Sequence, residues 1–120
     1  MKTILKLSVI VIFLFFFGCA PSQLMNKSLM INAGQTKEDV LKILGNPGNR
    51  QFQGKDEAWQ WCETDYSGFA GDDYLVVWFY EGKVTGITTY KNTRYGNCEM
   101  FYRTVNWQDA PDRTIEIRNR

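Results

Sequence analysis

Tyr74 to Tyr80 is a run of seven apolar or aromatic residues without a charge, and it restricts the possible folds more than any other segment. Such a run reads as the middle strand of a sheet. A strand with one wet face alternates polar and apolar residues. This one does not, so both faces of its sheet must be covered. Strands are expected on either side of it. Glu57 to Thr64 sets Trp59, Trp61 and Glu63 against Ala58, Gln60, Cys62 and Thr64. Lys83 to Tyr90 carries Val84, Ile87 and the β-branched Thr85, Thr88 and Thr89 after a tight turn at Glu81 and Gly82. The expected sheet is therefore a three-stranded antiparallel meander, with turn-rich connections at Asn46 to Gly54 and Asp65 to Asp73.

One or two short helices can cover one face. Thr36 to Leu44 is the clearer helix: Thr36 can cap its first turn, Glu38 and Asp39 suit its positive end, and Val40, Ile43 and Leu44 share a side. Gly45 and Pro47 end it. A second short helix is expected around Lys27 to Asn32. The tail beyond Lys91, with Phe101, Val105 and Trp107, is the natural cover for the other face. The alternation of Ile115 and Ile117 against Thr114, Glu116 and Arg118 fits a further short strand.

The N-terminus places this α+β domain in a compartment. Lys2 and Lys6 precede an apolar run from Leu7 to Phe17, broken only by Ser8, and Gly18, Cys19 and Ala20 follow. That is the pattern of a secretory signal peptide, and it falls short of the roughly 20 residues of a spanning helix. Phe16, Phe17, Gly18 and Cys19 resemble a bacterial lipobox, in which the cysteine thiol receives a diacylglycerol and becomes the mature N-terminus. Ala rather than Asp at residue 20 implies the outer membrane, with the domain facing the periplasm. The expected layout is a signal peptide over 1–18, a lipidated tether over 19–27, the α+β domain over 28–91 and a C-terminal extension over 92–120.

With Cys19 acylated, Cys62 and Cys98 remain as an even pair in an oxidising compartment and are expected to form a disulfide. Closing that loop stabilises the fold by roughly 4 kcal/mol in the chain-entropy account. Removing Lys2 and Lys6 from the 14 basic residues leaves 12 against 13 acidic ones. A balance this even gives no reason to expect nucleic acid as a partner. The chain has no histidine, so the commonest general base and transition-metal ligand are missing. Asp65, Asp72 and Asp73 lack the spacing of a calcium loop and read as solvated turn residues. No cofactor, metal or small-molecule substrate is expected.

Ile31, Gly34, Thr36, Val40, Leu44, Gly45 and Pro47, then Trp59 and Trp61, then a hairpin ending in Lys83, Val84 and Thr85, form an ordered series. It resembles the BamE/SmpA/OmlA family of outer-membrane lipoproteins, and the likeness covers about Met30 to Lys91. The resemblance implies two helices on a three-stranded antiparallel sheet, an arrangement shared with proteinaceous β-lactamase inhibitors. It also implies a non-catalytic module that binds a protein of envelope or outer-membrane assembly. Through the shared fold, the other implied role is an inhibitor or immunity-type protein that binds a periplasmic enzyme. The Cys62 and Cys98 pair and the tail beyond Lys91 depart from the family pattern.

Aromatic residues crowd the second half of the chain, and most must fill the core. Those in loops are the candidates for exposed anchors, because Trp and Tyr dominate binding hot spots. Tyr66 and Phe69 lie in the glycine-containing loop Asp65 to Asp73, which cannot bury itself fully. They are the expected partner-binding residues. Replacing the lipidation site, Cys19→Ser, should leave the precursor unprocessed and move the protein out of the membrane fraction. Unchanged processing and fractionation on immunoblots would sink the lipoprotein reading.

Overall fold

The computed structural model describes residues 22–66, 70–94 and 96–112. Its elements are α1 (Gln23–Ser28), α2 (Lys37–Leu44), β1 (Asn49–Gln53), β2 (Asp56–Glu63), β3 (Asp72–Tyr80) and β4 (Lys83–Asn92). Two 3₁₀ turns follow, at Cys98–Met100 and Trp107–Asp109. The strands form one antiparallel sheet in the order β1-β2-β3-β4. The fold is thus α+β with two helices, as expected, but the described sheet has four strands rather than three.

β3 is buried along nearly all its length. Its register with β2 pairs Trp59 with Val77 and Trp61 with Leu75 on one face, and Ala58 with Trp78 and Cys62 with Tyr74 on the other. On the first face Trp59, Trp61, Leu75, Val77, Phe79 and Val84 meet Leu24 and Ile31, near α1, and Val40 of α2. The β3–β4 connection is a two-residue turn in which both Glu81 and Gly82 have positive φ. Those are the dihedrals of the hairpin turn whose twist matches its strands, and glycine supplies one of them without strain.

Both helices start on side-chain caps. In α2 the Thr36 hydroxyl accepts from the Asp39 amide at 3.2 Å, and the Asp39 carboxylate accepts from the Thr36 amide at 3.0 Å. That backbone hydrogen bond holds the Asp39 pKa below the usual carboxylate value. In α1 the Ser22 hydroxyl accepts from the Met25 amide at 3.2 Å. α1 therefore starts inside the segment expected to be an irregular tether and ends at Ser28, just after the expected helix was to begin. The cause is tertiary: Leu24 is buried in the core, and its amide donates to the Glu63 carboxylate at 3.1 Å.

The second face of the sheet is covered by the tail, which makes no strand pairing there among the described residues. Trp107 meets Trp78 edge-on at 5.9 Å, with Val105 and Ala110 beside it. The alternating segment around Ile115 and Ile117 lies outside the described residues. Cys62 and Cys98 are joined, their Cα atoms 6.0 Å apart, as the even count predicts. The bond fastens the start of the cover to β2.

Side-chain amides of the sheet replace the missing backbone pairing. Gln60, fully buried, donates to the Arg103 carbonyl at 2.8 Å and accepts from the Tyr90 hydroxyl. That same hydroxyl accepts from the Arg103 amide at 3.1 Å. On β1, Gln51 donates to the Arg103 carbonyl at 2.9 Å and accepts from the Val105 amide at 3.0 Å. These contacts explain why a segment as polar as Asn49 to Gln53 is a strand and not the expected turn. Its Asn49 and Gln51 side share a face with the tail, and its ladder to β2 is complete over five residue pairs. Gln60→Leu keeps the volume but leaves the Arg103 carbonyl and the Tyr90 hydroxyl short of partners. It should cost about 1–3 kcal/mol in urea unfolding. Amide exchange at Arg103 and Val105 should rise more than exchange in β3; uniform acceleration would contradict the clamp.

Candidate functional site

The end of the sheet where β2 stops and β3 begins gathers most of the residues expected to matter. Glu63 and Thr64 are consecutive and work on opposite faces. Glu63 holds the Leu24 amide, and the Thr64 hydroxyl accepts from the Cys98 amide at 3.1 Å. The loop between them and β3 is drawn closed by Asp72, whose carboxylate accepts from the Asp65 amide at 2.9 Å, and by Asp65, which accepts from the Ala70 amide at 2.7 Å. The second oxygen of Asp72 is buried with no hydrogen-bond partner. Asp73 pairs with Lys91 at 2.8 Å.

These positions correct the picture of three solvated turn aspartates. Asp72 and Asp73 belong to β3, and Asp72 is buried. Their carboxylates close the loop and join the strands. Among the described residues no group of three His, Cys, Asp or Glu side chains could hold a metal ion. An open cleft of about 260 Å³ at this end is lined by Ser22, Glu63, Thr64, Asp65, Ala70 and Asp73. A second, of about 280 Å³, lies at the β1–β2 hairpin around Gln53, Lys55, Asp56 and Tyr80. Both fall below the volume of ordinary small-molecule pockets.

Of the two expected anchors, Tyr66 is 93% exposed, and Phe69 lies outside the described residues. Cys19 lies outside them as well. A second exposed aromatic went unread in the sequence: Phe52 of β1, 59% exposed on the helix side of the sheet, with the Arg50 guanidinium 5.8 Å from its ring. Arg50 also stands 5.9 Å from the Trp59 ring. Edge strands with a stacked arginine and a bare ring have the composition of binding hot spots. The only signal for it was an aromatic in an otherwise polar segment.

The tail packs against this end through tyrosines. Tyr74 donates to the Cys98 carbonyl at 2.7 Å, stacks on Tyr90 at 4.6 Å and meets Tyr102 edge-on at 5.7 Å. A Cβ built on Gly48 would lie 2.1 Å from the Tyr102 hydroxyl, so only glycine lets β1 start beneath that ring. Burial pushes the Tyr74 and Tyr90 phenols up, and it raises Tyr102 to about 12, with the nearby Glu99 charge adding to the effect.

Comparison with protein-family models, with curated proteins and with solved structures finds no match for this chain. No helix among the described residues is long and apolar enough to cross a membrane.

The tyrosine cluster sets an alkaline limit on stability. The folded state holds the Tyr102 proton more tightly than an unfolded chain, in which the phenol titrates near 10.0, so the neutral ring stabilises the fold fully below that pH. The contribution is lost as pH rises through about 12. Unfolding free energy measured in urea should fall across that interval, and Tyr102→Phe should flatten the fall. An equal slope in the variant would remove Tyr102 as its cause.

Proposed function

We propose that this protein is a lipid-anchored, periplasm-facing module of the outer membrane that binds another envelope protein and carries out no catalysis. Its anchor is Cys19, and its partner belongs to outer-membrane assembly or maintenance. Membership of the BamE/SmpA/OmlA family is part of this proposal. It rests on the order of Gly34, Thr36, the Leu44, Gly45 and Pro47 ending, and the two tryptophans of β2.

One observation carries the reading. Both faces of the sheet are covered, yet Tyr66 and Phe52 remain mostly in solvent. They lie at opposite ends of β2: Phe52 pairs with Glu57, and Tyr66 follows the far end of the strand. Large rings left bare on an otherwise packed domain are favourable contact residues, because they bury much area for little lost entropy. The absence of histidine from the sequence agrees with contact rather than with general-base chemistry.

The test is crosslinking of the full-length protein in the envelope, with partners identified by mass spectrometry. It is repeated for Phe52→Ala and Tyr66→Ala. At least one variant should weaken partner binding by about 2 kcal/mol or more while thermal unfolding stays within about 0.5 kcal/mol of the parent. Recovery of a soluble periplasmic enzyme as the main product would favour the inhibitor or immunity reading. Undiminished recovery in both variants would remove the aromatic contact.

A further inference from the structure

The described chain begins at Ser22, which lines the cleft at the loop end beside Asp65 and Ala70. Cys19 lies three positions earlier. Three peptide units span at most about 10 Å, so an acyl group on Cys19 brings this end of the sheet, and not the hairpin end, to the bilayer surface. Two mainly exposed side chains stand there. Tyr66 follows Thr64 by two residues, and Met100, 75% exposed, follows Cys98 by two, with Thr64 and Cys98 hydrogen-bonded to each other. The segments that carry them meet at the end of β2, where the Cys98 amide donates to the Thr64 hydroxyl.

We propose that Tyr66 and Met100 form a foot that enters the lipid headgroup layer and sets the orientation of the domain on the membrane. The inference rests on the lipid anchor proposed above. A tyrosine presents an apolar ring and a polar tip, which suits an interface wet on one side and apolar on the other. The carboxylates at this end limit the depth. Asp72 is buried, Asp65 is occupied by the Ala70 amide and Asp73 by Lys91, but none is far from the loop. Seating is therefore shallow and needs no anionic lipid. Tyr66 then meets lipid rather than protein, and of the two bare rings Phe52, beside Arg50 about 20 Å further along β2, is the one left to the partner.

Depth can be read directly on the acylated full-length protein. Tyr66→Cys, Met100→Cys and Phe52→Cys each provide one thiol for an environment-sensitive fluorophore, because Cys62 and Cys98 are joined and an acylated Cys19 is a thioether. In vesicles of phosphatidylethanolamine and phosphatidylcholine carrying a doxyl-lipid quencher, labels at 66 and 100 should shift to the blue and lose intensity. The label at 52 should do neither. Co-sedimentation with vesicles but equal emission at all three positions would overturn the foot and leave the anchor standing. Failure to co-sediment would overturn both.

Discussion

Both faces of β3 have to be kept from water, and two different kinds of structure do it. On one side two capped helices bring Leu24 and Val40 against tryptophans of β2. On the other the described residues of the cover hold no regular structure longer than a 3₁₀ turn, and their backbone groups join no ladder. An irregular segment laid over an apolar surface costs several unmade hydrogen bonds unless the surface supplies partners. Gln51, Gln60 and Tyr90 supply them, which is why a glutamine sits fully buried in the middle of a sheet.

The same arrangement accounts for the placing of the disulfide. Apolar contacts between Trp107 and Trp78 and the amide clamps at Arg103 hold the later part of the cover. Its beginning, where the chain leaves β4 and crosses the sheet end, has exposed residues on both sides of Cys98. A covalent bond to Cys62 fixes that crossing, and the Tyr74 hydroxyl and Thr64 side chain fasten the backbone of Cys98 itself.

How much of this was legible in the sequence follows from which forces shape each part. β3 could be read from its unbroken apolar run, α2 from Thr36 and the Gly45 and Pro47 ending, and the disulfide from the count of cysteines. The four-strand sheet could not: Asn49 to Gln53 has neither a strand's alternation nor its composition, and its place depends on a tail more than 50 residues away. Gln60 could be placed on the face opposite Trp59 and Trp61, but not its hydrogen bond to the Arg103 carbonyl, which depends on where the tail lies. α1 was misplaced because its position is set by Leu24 and Glu63 rather than by local propensity. The exposure of Tyr66 could be reasoned from its loop, whereas that of Phe52 was hidden in a segment taken for a turn.

The separate covers also impose an order in time. A chain made from its N-terminus has both helices and, once β4 is complete, every strand of the helix-covered side before Cys98 and Trp107 exist. During that interval Ala58, Val76 and Trp78 form a bare apolar surface on an otherwise finished half-domain. The tail is thus synthesised after the sheet it covers, and its arrival ends the vulnerable period. A chain cut short before Cys98 would present that sticky face to its neighbours and would leave β1 without the contacts that hold it as a strand.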